Sequence, residues 1–442
     1  MTSSPEGLDD VSGKPFLTPS SLAEALMRHP DAERAMPLWI DSGDVDGVHR
    51  LSALPEQVFR LDIRDLESRT LDRWLREHLP PNEGDDTLYV LLLAYDAGRN
   101  LEHIDASAAT DPDLPEVIIA RYTAWFEAMG GDQAPTLKGD PIAGAALMRW
   151  LEGKASLPER PLTPLAFQSS MSEGEHKEAL ESVLEGIAEG ALYQANIARR
   201  LSAPFESKDV PTLYRQLRTT NPAPFGALWS LGEAFWLASN SPECLFTWEP
   251  EERSVHSYPI KGTRPRGSDG QEDEALILAL SQDPKERAEH VMIVDLVRND
   301  LGRIACPGSV KVEELFGISS WSTVHHMVSD ISATARSDVD LVDIIVALFP
   351  GGSITGAPKI AAMQWIERVE GLRRGYYCGS LGVIGPKGEA SFSILIRTCV
   401  HIGERLYYQS GGGIVADSDP KAEWKETEVK AQALIDALSR EL

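Results

Sequence analysis

A helical spacing of apolar positions is clearest in the segment that begins at Ser172. Leu180, Val183 and Ile187 fall on one face of the predicted helix. Ser172 and Glu175 have the spacing of a capping box, in which each side chain binds the backbone N–H of the other residue and so fixes where the helix begins. The same spacing predicts further helices at 285–303, 339–349, 358–369 and 421–440.

Runs of apolar residues bounded by turn sequences predict strands. Two runs lie within 226–239, on either side of a Gly-Glu turn, and three more cover 377–384, 389–400 and 405–415. Consecutive strands joined by tight turns pair antiparallel. Because helices lie between and after these groups, we expect an α+β fold in which large antiparallel sheets pack as a sandwich and are covered by helices.

Changes in composition divide the chain into parts. Residues 1–20 are rich in Ser, Pro, Gly and Asp and predict a flexible tail. Sequence rich in Gly and Pro at 131–164 marks a boundary. We therefore expect an N-terminal region over 21–160 and a catalytic domain over 165–442.

The chain has 442 residues, of which 42% are hydrophobic and 25% charged, as is usual for soluble globular proteins. Its formal net charge of −26 and its pI near 4.8 argue against a nucleic-acid-binding surface, which needs clustered Lys and Arg. An acidic surface also repels anionic small molecules. A site for an anionic substrate would therefore need a bound metal ion or basic residues of its own.

The four cysteines show no Cys-x-x-Cys pair and do not suggest a disulfide framework, which favours a reducing compartment. The first residues lack the basic and apolar parts of a secretory signal. The apolar runs at 88–94 and 344–349 are too short to cross a bilayer. The sequence therefore predicts a cytoplasmic protein that does not bind membranes.

One acidic residue lies on the apolar face of a predicted helix. Glu289 precedes Ile293 by four residues and Leu296 by seven, so its carboxylate points in the direction of the core. The alternative is a first-turn glutamate that the helix dipole stabilises. If this carboxylate is buried, it needs a cation.

The last predicted helix carries a similar feature, because Glu423, Glu426 and Lys430 share one face. On an isolated helix, Glu426 and Lys430 would form a solvated ion pair worth about 0.3–0.5 kcal/mol. Glutamates on two separate helices could instead bind one hard divalent ion and leave positions for substrate and water, as Mg2+ prefers.

Two glycine-rich segments and two basic residues complete the candidates. Glycines in 351–363 and 410–418 would let backbone N–H groups approach an anion, although each segment alone is typical of a turn. Lys261 stands before a glycine, where an exposed solubilising lysine is the alternative. Arg397 lies inside the apolar run 389–400, and a buried arginine there would hold a carboxylate.

Taken together, these segments resemble the chorismate-utilising enzymes, the family of anthranilate synthase, aminodeoxychorismate synthase and isochorismate synthase. The N-terminal segments 37–43 and 93–102 are similar to the family more weakly, and the chain departs from the usual pattern after Gly43. The segments that match in order along the chain are YQANIARR (193–200), NPAPF (221–225), SPE (241–243), PIKGTRPRG (259–267), EHVMIVDLVRNDLGR (289–303), VHHMVS (324–329), GGSITGAPK (351–359), YYCGSLG (376–382), IRT (396–398) and GGGIVADSDPKAEWKET (411–427).

The resemblance implies roles for the matching residues. Glu289 and Glu426 would hold Mg2+, with Glu423 close by or acting through water, and the metal would bind the ring carboxylate of chorismate. Glu243 would be the general acid that protonates the departing hydroxyl at ring carbon 4, and His326 would lie beside the ring. The expected substrate contacts are Tyr377 and Arg397 at the enolpyruvyl carboxylate and Gly262, Thr263, Gly356, Ala357, Gly411, Gly413 and Lys430 at the ring end.

Two positions distinguish the branches of the family. The anthranilate branch has Ala where this chain has Lys261, so Lys261 resembles the aminodeoxychorismate branch, in which the lysine amine attacks ring carbon 2. Ammonia then attacks carbon 4 and expels the lysine. The amine must be neutral, and burial with nearby cations, here Mg2+ and Arg264, would lower its pKa. The isochorismate branch has a lysine base where this chain has Gln194.

The implied enzyme is a transferase that makes 4-amino-4-deoxychorismate for para-aminobenzoate and folate biosynthesis. Its partners would be chorismate, ammonia and a separate glutamine amidotransferase subunit, because no amidotransferase module is visible in these residues. The alternatives are an anthranilate synthase large subunit and, from another class, a non-catalytic tryptophan-sensing subunit. The segments 37–43 and 221–225 can form a tryptophan pocket in relatives, and the sequence leaves open whether tryptophan binds here.

Overall fold

The computed structural model describes residues 18–43, 47–62, 70–79, 86–102, 104, 107–130, 133–152 and 156–439. The α-helices in these residues are α1 (Pro19–Met27), α2 (Ala32–Ala35), α3 (Leu71–His78), α4 (Gly98–Glu102), α5 (Pro141–Leu151), α6 (Glu173–Ala188), α7 (Val210–Thr220), α8 (Gly270–Gln282), α9 (Pro284–Gly302), α10 (Leu341–Leu348), α11 (Gly352–Thr355), α12 (Lys359–Glu370) and α13 (Pro420–Leu438). The strands are β1 (Leu38–Asp41), β2 (Val48–Ser52), β3 (Gln57–Leu61), β4 (Leu88–Leu93), β5 (Val117–Tyr122), β6 (Ala124–Met129), β7 (Thr136–Gly139), β8 (Gln168–Ser169), β9 (Gln194–Pro204), β10 (Phe225–Gly232), β11 (Phe235–Ser241), β12 (Cys244–Glu249), β13 (Ser254–Tyr258), β14 (Ile260–Pro265), β15 (Lys311–Ser320), β16 (Val324–Thr334), β17 (Gly356–Ala357), β18 (Ser380–Ile384), β19 (Ala390–Ile394), β20 (Thr398–Ile402) and β21 (Arg405–Ile414).

The strands form two large antiparallel sheets, so the predicted fold class is confirmed. The first sheet has the order β17-β9-β21-β20-β11-β10-β1-β2-β6-β7, with β8 beside β9. The second has the order β14-β16-β13-β12-β19-β18-β4-β5-β3, with β15 beside β16. Trp229 and Leu237 of the first sheet share a core with Val90 and Ile118 of the second. The two sheets therefore pack face to face as a sandwich.

Helices cover the outer faces of this sandwich. Helices α1, α7 and α13 bury Leu22, Leu213 and Leu434 in a second core, against the first sheet. Helices α9, α10 and α12 contribute to a third core, which also contains Phe246 of β12 and Phe392 of β19. Each fully buried side chain of this size contributes about 1.5–3 kcal/mol to folding, so the helices are held by their apolar faces.

The N-terminal region does not form a sheet of its own. Strand β1 pairs with β10, with Leu38 opposite Trp229, and so extends the first sheet. Strand β4 pairs with β18, with Leu91 opposite Gly382, and so extends the second. Both sheets therefore run across the predicted boundary at 131–164.

Side-chain caps fix where the two acidic helices begin. Asp283 accepts hydrogen bonds from the backbone N–H groups of Lys285 and Glu286 at the start of α9, and Asp419 accepts one from Ala422 at the start of α13. Such caps stabilise a helix by about 0.5–2 kcal/mol. The predicted helix 285–303 is thus confirmed as α9, and the predicted helix 421–440 as α13, which ends at Leu438. Each cap fixes the position from which the glutamates of its helix are placed.

The prediction of a single strand over 389–400 is wrong. Strand β19 lies in the second sheet and pairs with β12, whereas β20 lies in the first and pairs with β11. Arg397 stands at the crossing with a left-handed φ of 51°. Both halves are buried, so the apolar run shows no break.

The predicted flexible tail ends earlier than expected. Helix α1 begins at Pro19 and is capped by Thr18, and the remainder of the tail, residues 1–17, lies outside the described residues. None of the helices in the described ranges is long and apolar enough to cross a membrane. The four cysteines are free thiols.

Candidate active site

Lys261 lies in β14, where the strand changes register against β16. The irregularity falls between Lys261 and Thr263, and Gly262 allows it by adopting a φ of 75°. The Lys261 Nζ donates a hydrogen bond of 3.1 Å to the carbonyl oxygen of Ser353. Burial lowers the pKa of Lys261, although Glu243 attracts its charged form.

Arg264 does not lie where the sequence suggested. Its guanidinium donates hydrogen bonds to Asp283 at 2.8 Å and Glu286 at 3.2 Å, because the N-terminal turn of α9 presents these two carboxylates. The cation that disfavours the charged form of Lys261 is instead Lys430. Arg264, which the sequence suggested would lower the pKa of Lys261, is not among the groups that act most strongly on that pKa.

Glu243 lies between β11 and β12 with only 4% of its surface exposed. Its Oε1 atom has no hydrogen-bond partner among the described residues. Burial raises the pKa of Glu243, against smaller effects of the Ser353 hydroxyl and the Lys261 amine. Because burial acts most strongly on both groups, it favours a neutral amine on Lys261 and a protonated acid on Glu243.

Backbone without side chains forms one wall of the cleft, which we call the glycine floor (Gly356 and Gly411–Gly413). A Cβ on Gly356 would lie 2.1 Å from the carbonyl oxygen of Gln194, and one on Gly413 would lie 2.5 Å from Gln194 Nε2 and 3.8 Å from Lys261 Nζ. Gln194 is fully buried, and neither amide atom has a partner within the described ranges. The floor thus brings Gln194 and Lys261 together.

Two glutamates of α13 face the same part of this floor. Glu423 is buried and its Oε1 accepts a hydrogen bond of 2.7 Å from Ser418, whereas its Oε2 has no partner among the described residues. Glu426 is 45% exposed and its Oε1 lies 2.6 Å from Lys430 Nζ. A Cβ on Gly412 would lie 3.1 Å from Glu423 Oε2 and 3.2 Å from Glu426 Oε1. Both carboxylates therefore border one space that holds no side chain.

Glu289 adds a third carboxylate from α9. Its side chain is 17% exposed, and burial raises its pKa, with Lys261 opposing and Glu423 adding to the shift. In the described part of the chain, no three metal-binding side chains lie close enough to enclose an ion. Mg2+ usually takes only one or two carboxylates and fills its other positions with water and substrate. The unpartnered Glu423 Oε2 and the space at Gly412 fit such an ion.

Arg397 and Tyr377 lie together where the chain crosses between the sheets. The Arg397 side chain forms no hydrogen bond or ion pair with any described residue, and burial lowers its pKa. Tyr377 is 8% exposed, and the N–H of Cys378 beside it binds the carbonyl of Leu395 at 2.8 Å. A guanidinium that is largely removed from water favours an anion, so a ligand carboxylate would suit this half-buried position.

His326 completes the other side of the cleft. Its Nδ1 lies 2.9 Å from the Thr263 hydroxyl, and its Nε2 has no partner among the described residues. Burial, with repulsion by Arg397, lowers the pKa of His326 to about 4. The ring is therefore neutral at pH 7 and can offer a hydrogen bond to a ligand.

Two buried ion pairs beside the site were not predicted from the sequence. Lys359, the last residue of GAPK, donates to Asp300 of α9 at 2.7 Å, with 7% and 6% of the two side chains exposed. Arg374 binds Glu370 through two hydrogen bonds of 2.9 and 2.7 Å. Asp300 could have been found, because it follows Val297 by three residues and so shares the apolar face of the helix.

The contacts above place the sequence-predicted residues around one cleft. Lys261, Glu243, Gln194 and the glycine floor form its centre, and the α13 glutamates and Glu289 form its acidic side. The predicted residues in this arrangement are Lys261, Glu243, His326, Arg397, Gly262, Thr263, Gly356, Ala357, Gly411, Gly413, Lys430, Glu289, Glu423 and Glu426. Tyr377 lies beside the crossing that carries Arg397, next to Cys378, whose N–H binds the Leu395 carbonyl.

Comparison with known proteins gives consistent matches. Residues 41–436 match the family model described as chorismate binding enzyme. The chain is 38% identical over 348 residues to aminodeoxychorismate synthase component 1 of Klebsiella aerogenes, covering 78% of this chain and 76% of that protein. It is 37% identical over 372 residues to an anthranilate synthase component 1 of Haloarcula marismortui, covering 79% and 75%. The solved anthranilate synthase component I of Streptococcus pneumoniae TIGR4 superposes with a TM-score of 0.77 at 26% identity, covering 88% of this chain and 92% of that one.

Proposed function

Because this chain belongs to the chorismate-binding enzyme family, we propose that it is the chorismate-binding component of an aminodeoxychorismate synthase, which converts chorismate and ammonia to 4-amino-4-deoxychorismate. Overall identity does not choose a branch, since the two kinds of relative differ by one percentage point. The observation that carries the proposal is Lys261, a half-buried lysine that binds the Ser353 carbonyl and has a lowered pKa, at the position that resembles the aminodeoxychorismate branch.

In the first step, the neutral amine of Lys261 attacks ring carbon 2 while the C4–O bond breaks. The ring double bonds shift between these carbons, and Glu243 donates its proton to the departing hydroxyl, which leaves as water. The raised pKa of Glu243 and the lowered pKa of Lys261 support these roles. The Ser353 carbonyl, 3.1 Å from Lys261 Nζ, orients the amine.

In the second step, ammonia attacks ring carbon 4 and the bond between carbon 2 and Lys261 breaks. The double bonds return to their first positions, the lysine leaves as a neutral amine, and the proton released by the bound ammonia can return to Glu243. Two displacements thus place nitrogen on the carbon that lost oxygen. Splitting one difficult substitution into two is the advantage of covalent catalysis.

Substrate binding divides between the two ends of the cleft. Arg397, which lacks a partner among the described residues, would pair with the enolpyruvyl carboxylate beside Tyr377. Glu289 and Glu426 would hold Mg2+, with Glu423 close by or acting through water, and the metal would supply the positive charge that binds the ring carboxylate. The Glu426 to Lys430 ion pair would open when the metal binds, because both compete for Oε1.

The nearest alternative is an anthranilate synthase component I, which the similarity to the Haloarcula marismortui protein favours equally. That branch would leave Lys261 without a chemical role. A non-catalytic tryptophan-sensing subunit is less well supported, because the cleft keeps a possible acid, Glu243, and carboxylates for a metal.

Ammonia would come from a glutamine amidotransferase partner.

Product identification tests the proposal. The purified protein is incubated with chorismate, Mg2+ and ammonium, with and without an aminodeoxychorismate lyase. We expect para-aminobenzoate only when the lyase is present. Fluorescent anthranilate formed without the lyase would show that the alternative is correct, and chorismate left unchanged would exclude both enzymes.

A further inference from the structure

Arg374 is buried at the centre of a network that touches three parts of the cleft. Only 1% of its side chain is exposed, against 5% for its partner Glu370. The guanidinium donates to the carbonyl oxygen of Ile354 at 3.1 Å and to that of Asn196 at 2.6 Å, besides its two bonds to Glu370. A planar guanidinium can satisfy several fixed acceptors at once, which a lysine cannot.

The two carbonyl groups that accept hydrogen bonds from Arg374 belong to residues that lie next to, or two positions from, residues of the proposed site in the chain. Ile354 follows Ser353, whose carbonyl accepts the Lys261 hydrogen bond, and Asn196 lies two residues after Gln194 in β9. The guanidinium also lies 5.5 Å from the centre of the Tyr377 ring. One side chain therefore connects α11, the Gln194 end of β9 and the tyrosine.

Glu370 extends the same network. Its Oε1 accepts a hydrogen bond of 2.9 Å from the backbone N–H of Ala198, and Gly371, with a φ of 70°, reverses the chain so that Arg374 folds back onto the end of α12. The Gln409 amide donates to the carbonyl of Arg374 at 2.6 Å. The pair is thus fixed from four sides and has little freedom to adjust.

We propose that the buried Arg374–Glu370 pair is a positioning device for the chorismate site, which keeps Tyr377, the Ser353 carbonyl and Gln194 at fixed distances from one another. Neither side chain needs to touch the substrate. The inference rests on chorismate being the substrate, as in the proposed function, but it does not depend on which product forms.

The chain offers a matched control on the same helix. Glu367, one turn before Glu370 on α12, pairs with Arg99 at 2.8 Å, with 7% and 8% of the side chains exposed. It binds the N–H groups of Ser107 and Ala108. Glu367→Gln and Glu370→Gln therefore remove the same charge from the same helix and the hydrogen-bonded carboxylate of a buried arginine, but only the second lies in the network of the cleft.

The test compares the two variants of the full chain by chorismate consumption with Mg2+ and ammonium, below the melting temperature of each variant. This assay follows the loss of chorismate, so its result does not depend on which product forms. We expect Glu370→Gln to raise KM for chorismate and lower kcat/KM by about 10–100-fold, the usual cost of losing a partner that orients site residues. Glu367→Gln should stay within about threefold of the wild type while losing similar thermal stability.

A second pair of variants guards against a failure to fold. Arg374→Lys keeps the charge but loses the planar fork, and Arg99→Lys is its control. We expect Arg374→Lys to reproduce the KM increase of Glu370→Gln and Arg99→Lys not to do so. Equal kinetics for the variants and their controls, despite equal losses of melting temperature, would overturn the proposal and leave the pair with a purely structural role.

Discussion

At the scale of single residues, Lys261 and Glu243 need opposite changes in proton affinity. The amine must lose its proton to attack, so the rate rises with pH until Lys261 is neutral. The acid must keep its proton, so the rate falls once the pH exceeds the pKa of Glu243. Burial lowers the first pKa and raises the second, which increases the fraction of molecules in which both groups are in the required form.

The first prediction is a covalent adduct on Lys261. With chorismate and Mg2+ but no ammonia, the second displacement cannot occur, so the protein should gain the mass of chorismate less one water. Peptide mass spectrometry should locate that mass on Lys261. Its rate of formation should rise with pH as Lys261 loses its proton, with an apparent pKa below the roughly 10.4 of a free lysine, and should fall where Glu243 loses its own.

The matched control for the adduct is Lys261→Ala, which should show no mass gain. Because the rest of the cleft is shared with the anthranilate branch, this variant should retain slow amination at ring carbon 2. An unlabelled wild-type lysine, together with an alanine variant that forms 4-amino-4-deoxychorismate at full rate, would reduce Lys261 to an electrostatic contact.

The second prediction concerns Gly412 and the metal. In Gly412→Ala, the new methyl group would lie 3.1 Å from Glu423 Oε2 and 3.2 Å from Glu426 Oε1. The methyl group would occupy part of the space between these two carboxylates, where we propose that Mg2+ binds, without changing any charge. We expect the Mg2+ concentration for half-maximal rate to rise at least about 10-fold and calorimetric Mg2+ affinity to fall with it. Glu289→Gln and Glu426→Gln should nearly abolish turnover.

Gly302→Ala is a suitable control for this prediction, because a Cβ at Gly302 would meet nothing within 4 Å. It should leave the Mg2+ dependence unchanged. If Gly412→Ala keeps the wild-type Mg2+ affinity, the metal does not lie between the α13 glutamates.

The sequence indicated these residues but not their environments. Glu426 forms the solvated ion pair with Lys430 that helix spacing favours, whereas Glu423, on the same face, is buried. Spacing along a helix shows which residues share a face, but the depth of each depends on what packs against it. Glu370 precedes Arg374 by four residues, but the two backbone carbonyls that also bind Arg374 come near only in the fold.

At the scale of elements, α9 carries both a site carboxylate and a structural one. Glu289 borders the cleft, and Asp300, three turns later, holds Lys359 at the start of α12. The third prediction is that Asp300→Asn destabilises the protein by about 3–5 kcal/mol, since it leaves the Lys359 ammonium buried and unpaired. Chemical denaturation measures this change.

Asp295→Asn on the same helix provides the comparison. Asp295 pairs with Arg298 at 2.7 Å, but the two side chains are 62% and 50% exposed. Removing an exposed pair should change stability by less than about 1 kcal/mol. Equal effects of the two substitutions would mean that the Asp300–Lys359 pair does not anchor the helix.

The helices and strands were predicted correctly where a regular spacing of apolar residues or a short turn marks them in the sequence. The prediction failed where the chain crosses from one sheet to the other. The hairpin of β10 and β11 was predicted from its turn, and Glu233 and Ala234 adopt the left-handed φ values of 51° and 55° that such a turn needs. The crossing at Arg397 was not predicted, because buried strands of either sheet are equally apolar. Only the backbone at 395–397 distinguishes one long strand from two.

At the scale of the whole molecule, both sheets contain strands from the N-terminal region and from the region after the composition boundary at 131–164. The fourth prediction is that a fragment covering 165–442 does not fold alone, because it would expose the edges of β10 and β18 that β1 and β4 cover. Circular dichroism and size exclusion would test this. A soluble, cooperatively melting fragment would instead support the domain boundary drawn from the sequence.

The fifth prediction concerns the source of nitrogen. No amidotransferase module is recognised in these 442 residues, so the purified chain should work with ammonium at alkaline pH, where ammonia is neutral, and fail with glutamine. Adding a glutamine amidotransferase subunit should restore glutamine use. Turnover of glutamine by a demonstrably pure preparation would contradict the proposed need for a partner.

The glycine floor has a consequence for how such an enzyme can diversify. Main-chain atoms shape that wall, so its form does not depend on the identity of the side chains that stand above it. Lys261 and Gln194 could therefore be substituted while the backbone of this wall stays in place. The sandwich beneath would need little repacking. A lineage built on this architecture could acquire a new reaction by one or two substitutions, and its inherited stability would survive the change of chemistry.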